Sequence, residues 1–220
     1  MINIMMHKRN QVQVKAVKKS ALVLCVGILG LCSTSLTYAA NWQFDLDKTS
    51  VTFITPPSGL TQITGNFNKF DGQITGDLFD QQHLQVTFTI QTGSVSTGLG
   101  MRDSTLKGSS LFNSDKFPTA TFKSTSVTQI DPAHVAMQGD LTMLGITKPV
   151  KVKITLEKPK VDPVSKVVSI NATADSTISR SEWGMTSYSS FVGNDIAVHM
   201  VGVMTSNNVN PDDLAKVLKH

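Results

Sequence analysis

The sequence predicts an all-β protein, an antiparallel barrel or sandwich with one short helical cap and a short C-terminal helix. Three observations carry this. Leu84-Gln-Val-Thr-Phe-Thr-Ile-Gln91 and Val150-Lys-Val-Lys-Ile-Thr-Leu-Glu157 alternate strictly, and period-two alternation sets one face in a core and the other in water. Shorter alternating runs recur between Gly, Pro, Asn and Asp turn signals, enough for seven or eight strands. Before the tail, only the stretch from Met101 reads as helical, and it turns into a strand.

The first 39 residues stand apart from the fold. Lys8, Arg9, Lys15, Lys18 and Lys19 precede an apolar run from Ala21 to Cys32, and Thr37-Tyr-Ala39 offers small residues for cleavage. This is the pattern of a secretory signal peptide, residues 1–39; the apolar run falls short of the roughly 20 residues that a membrane span needs. Cys25 and Cys32 both lie in it, each after a Leu rather than the small residue a lipoprotein signal would place there. The rest of the chain therefore has no thiol, which excludes a disulfide framework, thiol catalysis and cysteine metal sites. Five of the 20 basic residues also lie in the leader, leaving 15 against 16 acidic ones. A net charge near −1 offers no footprint for nucleic acid.

Residues 40–208 are read as one β domain. Trp42, Phe44 and Leu46 share a face, and Val51 to Thr55 continues until Pro56-Pro57 stops the strand. Leu60 to Phe67 resumes in extended form, with Gly65 at a bulge or close approach. Asp71-Gly72 suggests a hairpin turn. After Leu84 to Gln91, a Gly- and Ser-rich link leads into the helical stretch, where Leu106, Leu111 and Phe112 make one apolar face and Gly108 breaks the helix. Pro118 holds Phe117 extended, and Thr119 onward is strand. Asp131-Pro132 turns the chain, His134 to Leu141 is a strand, and Gly145 tips the next hairpin. Val167 to Ile178 puts Val168, Ile170, Ala172 and Ala174 on one side. Arg180 to Asn194 connects, and Ile196 to Met204 closes the sheet.

Residues 209–220 read as a short helical extension. Asn210-Pro-Asp-Asp places an N-cap, a first-turn Pro and two acids at the start, and Lys216, Lys219 and His220 at the other end. Leu214, Val217 and Leu218 share one face, which suits packing or a passing contact with a membrane surface.

No catalytic constellation is legible. His83, His134, His199 and His220 do not fall at spacings that would present two ligands together, and zinc needs three or four. There is no Gly-x-Ser-x-Gly elbow, phosphate loop or dinucleotide fingerprint. We expect neither an enzyme nor a cofactor; a pocket joining His199 to a carboxylate and a serine would favour a hydrolase instead. The inward faces are rich in large apolar side chains, and pattern alone favours a filled core.

Four blocks carry a resemblance. They are Gly65-Asn-Phe-Asn-Lys-Phe-Asp-Gly72, then Arg102-Asp103 with Leu106, Leu111-Phe-Asn113 and Lys116-Phe-Pro-Thr-Ala-Thr-Phe-Lys-Ser124, then Gly139-Asp-Leu-Thr-Met-Leu-Gly-Ile-Thr-Lys-Pro-Val150, and Arg180-Ser-Glu-Trp-Gly-Met185. In this order the chain resembles the YceI-like family of secreted, lipocalin-like lipid-binding proteins. The resemblance implies a barrel rather than a sandwich, a periplasmic location, and an interior that holds a polyisoprenoid, an isoprenoid quinone or a similar long-chain amphiphile. The lining it suggests is Phe53, Phe67, Phe70, Phe88, Ile90, Leu106, Phe112, Phe122, Met143, Trp183 and Met185. Arg102 is the first candidate for a head group at the mouth, or else it fixes the helical cap through a carboxylate; Arg180 is the second. Asp103 caps the helix or orients an arginine. Family members carry a histidine where this chain has Pro57, which removes one head-group contact expected from the resemblance. Further partners allowed for are a second copy, as a homodimer, and the membrane surface. The rival reading is a non-catalytic envelope stress or interaction module with a filled barrel, which predicts a packed interior and an exposed apolar patch.

Overall fold

Alternating strands that each pair with the next leave two raw edges, and the chain removes them by closing on itself. The computed structural model describes residues 42–56, 62–76, 78 and 83–209. The expected signal peptide, Pro57 and the expected C-terminal helix from Asn210 lie outside these residues. In chain order the elements are β1 (Gln43–Phe44), β2 (Ser50–Ile54), β3 (Thr64–Phe67), β4 (Phe70–Thr75), β5 (Gln85–Gln91), β6 (Val95–Ser96), α1 (Gly100–Lys107), β7 (Thr119–Gln129), β8 (His134–Met143), β9 (Ile146–Leu156), β10 (Lys160–Val161), β11 (Val168–Ser179) and β12 (Asp195–Ser206).

These strands form eight staves, because β1/β2, β3/β4, β5/β6 and β9/β10 are each one run with a short break. β1 pairs with β4 and β2 with β3; β4 pairs with β5 and β3 with β6. β5, β7, β8, β9 and β11 follow as neighbours. β11 lies along β12 from Val168↔Ser206 to Ser179↔Asp195. The far edge of β12 returns to the start, Ala197 to Val201 against β2 and Met204 and Thr205 against β1. Every pairing is antiparallel, so the fold is a closed eight-strand meander with one short helix.

The breaks set which way side chains point. A 3₁₀ turn at Leu46–Lys48 separates β1 from β2; it leaves Leu46 exposed while Trp42 and Val51 are buried, so the expected shared face of Trp42, Phe44 and Leu46 ends at Phe44. In β7 the register slips between Ser124 and Ser126. One extra residue inverts the inward parity: Ala120 and Phe122 face the interior before it, Val127 and Gln129 after it. The Ser124 hydroxyl accepts the Val86 N–H at 2.8 Å there.

Asp71-Gly72 is not a turn, contrary to the sequence expectation; it lies inside β4. Its glycine is needed because the Phe44 and Phe88 rings occupy the place of a side chain. Gly65 under Phe53 and Gly139 under Phe122 repeat the device. At Gly139 a methyl group would also meet the Lys123 carbonyl oxygen at 2.5 Å, and backbone cannot swing away as a ring can. Gly139→Ala is therefore expected to destabilise the barrel by about 1–3 kcal/mol, read as a lowered urea midpoint at unchanged slope. Leu144 and Gly145, both at positive φ, tip the β8–β9 hairpin, where the sequence placed it.

Candidate functional site

The inward faces do not meet. They enclose a cavity of about 1240 Å³ that runs the length of the barrel. Even-numbered residues of β9, β11 and β12 line it, from Val150 to Leu156, from Ile170 to Ile178 and from Ile196 to Met204. The nine residues of extended chain from Ile196 to Met204 span eight rises, about 26 Å. All six methionines after residue 40, Met101, Met137, Met143, Met185, Met200 and Met204, line this space. Methionine is flexible and polarisable, so such a wall adapts to the occupant's shape.

Aromatic residues shape one side. Phe53, Phe67, Phe88 and Val95 form a buried cluster with Val51 and Ile196, against which Leu106 and Phe112 pack from the cap segment. Phe67 meets Phe112 edge-on at 5.6 Å. Phe53, Phe67, Phe88, Ile90, Leu106, Phe112, Phe122, Met143 and Met185 all line the cavity, whereas Phe70 and Trp183 do not. Phe70 stacks on Phe88, with centroids 5.6 Å apart. Trp183 is 1% exposed and donates its indole N–H to the Leu141 carbonyl at 3.1 Å, so it serves the wall from a 3₁₀ turn instead of the lumen. The two expected as lining are corrected accordingly. Aliphatic positions such as Val152, Ile154, Val198 and Met200 line the cavity too; strand alternation is the sequence signal that marks them.

The cap segment forms part of the mouth. α1 ends at Gly108, whose N–H reaches the Ser104 and Thr105 carbonyls. Leu99, Met101, Arg102 and Thr105 face the cavity. Arg102 donates from Nε to the Thr97 hydroxyl at 2.7 Å and from Nη2 to the Thr97 carbonyl at 2.9 Å. Asp103 accepts the Thr97 hydroxyl at 2.5 Å and the Thr97 N–H at 2.8 Å. The carboxylate thus orients the arginine through a threonine instead of capping the helix, which starts at Gly100 after Leu99. The Thr97 hydroxyl holds the Asp103 carboxyl below its ordinary pKa. Arg102 Nη1 has no hydrogen-bond partner among the described residues.

Arg180 has a different post. It is 6% exposed and donates Nε to Gly193 O (3.1 Å), Nη1 to Met185 O (2.5 Å) and Ser187 O (2.8 Å), and Nη2 to Val192 O (3.0 Å). Burial pushes its guanidinium below the usual arginine pKa. Four of five N–H donors hold the loop after the Arg180–Trp183 turn, so this side chain pins the other lip of the mouth and has one N–H left for the head group expected of it.

His199 bonds Asp175 Oδ1 at 2.7 Å as a cross-strand pair between β12 and β11. Both side chains are solvent-exposed and absent from the cavity wall, so the pair is not the enclosed pocket that a hydrolase reading requires. Among the described residues no cluster of three or more His, Cys, Asp or Glu could hold a metal ion.

A closed antiparallel barrel around one long apolar lumen, with an arginine at its mouth, defines a binding barrel of lipocalin-like build. The YceI-like domain matches residues 42–204, and the chain belongs to the YceI-like family. It is 36% identical over 144 residues to the protein YceI of Shigella flexneri, covering 62% of this chain and 75% of that one. It is 34% identical over 148 residues to a UPF0312 protein of Photorhabdus laumondii, covering 66% and 76%. Among solved structures, Burkholderia cenocepacia BcnA superposes with a TM-score of 0.65 at 22% identity over 73% of this chain and 99% of that one. A polyisoprenoid-binding domain from Saccharophagus degradans gives 0.57 at 13% identity over 76% and 99%. At such identities these two likenesses show the shared fold.

Proposed function

We propose that this protein carries a polyisoprenoid or an isoprenoid quinone in its barrel, in the periplasm, after removal of its leader. It stores, moves or shields the lipid and does no chemistry on it. The observation that carries this reading is the cavity. A site of about 150 Å³ holds one benzene ring, so 1240 Å³ has room for roughly eight units of five or six carbons. Ten buried methylenes alone contribute about 8 kcal/mol before ordering costs. That the same fold serves the Saccharophagus polyisoprenoid-binding domain supports the choice of chain. The rival, a barrel filled by its own side chains, does not match a lumen of this size.

Arg102 is assigned the head group. Its free Nη1 edge, held by Thr97 and Asp103, suits a phosphate or a quinone carbonyl. Arg102→Met is expected to weaken binding of a polyprenyl phosphate by roughly ten- to a hundredfold and binding of the bare polyprenol much less, measured by competition with a fluorescent lipid. Equal losses for both would remove Arg102 from this role. The Asp103 brace is depressed in pKa, so its contribution is present above the ordinary aspartate range and lost as pH falls through the lowered value. The phosphate preference is therefore expected to hold at neutral pH and fade only in strong acid.

A further inference from the structure

We propose that the mouth of the barrel is a membrane-docking surface, which seats the cavity on a lipid bilayer so that the cargo enters without crossing water. This rests on the carrier reading of the cavity. Two separate segments place apolar side chains in solvent at the same opening: Leu99 (58% exposed) and Met101 (88%) at the start of α1, Tyr188 (49%) and Phe191 (74%) on the loop opposite. All four also line the cavity, so the exposed apolar rim opens directly into the lumen.

The exposure is built in, not incidental. Arg180 grips the carbonyls on both sides of the loop, at Met185, Ser187, Val192 and Gly193. Within that grip Tyr188 adopts φ 61°, a left-handed conformation that bulky residues avoid and that persists only when the surroundings impose it. Its carbonyl accepts the N–H groups of Phe191 and Val192 at 2.9 Å. The loop is thereby locked with its aromatic residues outward. In a monomer in water this arrangement is unfavourable; against a bilayer interface it is favourable, where tyrosine and phenylalanine seat at head-group depth. The occupant is read from the continuity: apolar side chains that lead from the exposed rim into a lipid-sized lumen, with Arg102 beside them at the height of a lipid head group, fit the phase in which that lipid resides.

The test uses protein purified from its host and phosphatidylcholine vesicles without isoprenoid lipid, so that binding reads docking on the bilayer and not capture of cargo. Binding is read by co-sedimentation. The double variant Met101→Ser/Phe191→Ser is expected to bind vesicles about tenfold or more weakly. Ile130→Ser/Val164→Ser, which removes two exposed apolar residues (69% and 89%) away from the cavity, is expected to bind like the wild type. As a second measurement, Met101→Cys carrying an environment-sensitive dye is expected to shift to the blue on vesicle addition, with no shift for the dye at Ile130→Cys. Equal binding by both double variants, or dye shifts at neither position, overturns the proposal. Solvent extraction of the same preparation reads the cargo independently: lipid present without vesicle binding overturns docking alone, and vesicle binding without lipid supports docking while overturning the carrier reading.

Discussion

Ala174→Trp is expected to abolish binding of long chains while leaving the barrel folded. Ala174 sits midway along β11, between Ile154 and Met200 on the neighbouring strands, and all three line the cavity. An indole there fills the lumen at its waist. Displacing about five methylenes of cargo costs about 4 kcal/mol, roughly a thousandfold in affinity. The new side chain buries apolar surface in empty space, so thermal stability is expected to hold or rise. The two readouts move in opposite directions, which separates a blocked cavity from a damaged fold. Chains short enough for half the lumen are expected to bind still. Undiminished affinity for long chains would place the cargo elsewhere.

Arg180→Met is expected to cost about 3 kcal/mol or more, because four loop carbonyls lose a charged donor in a buried setting. Arg180→Lys is expected to recover only part of this, since an ammonium presents three donors from one point and cannot span carbonyls from Met185 to Gly193. Urea unfolding measures the loss, and limited proteolysis within 184–194 shows where it acts. A stability change below about 0.5 kcal/mol, within the range of ordinary surface substitutions, would mean that the loop holds itself.

Much of this architecture could be read from alternation. Leu84 to Gln91 and Val150 to Glu157 have their apolar residues facing the lumen, and Ile170, Ala172 and Ala174 do likewise. The cap at Met101 and the strand after Pro118 also stand where the residues put them. What period two could not supply lies at its interruptions. The slip at Ser124/Ser126 inverts parity without a glycine or proline to mark it. Trp183 belongs to a 3₁₀ turn, where strand alternation says nothing about direction. Asp71-Gly72 has the composition of a turn, and only the two rings above it reveal why the glycine is in a strand. The structural post of Arg180 is hidden in the sequence because its four partners are backbone carbonyls of an irregular loop, which no side-chain spacing announces. The emptiness of the interior was the least legible property: a filled core and a lined lumen need the same inward residues, and only the radius of the closed barrel separates them.

Native mass spectrometry of the protein purified from its own host, followed by solvent extraction, tests the lipid-carrier account most directly. The account predicts a mass excess over the bare chain and release of an isoprenoid lipid on extraction. A bare mass, unchanged after incubation with polyprenyl phosphates and isoprenoid quinones, would contradict it.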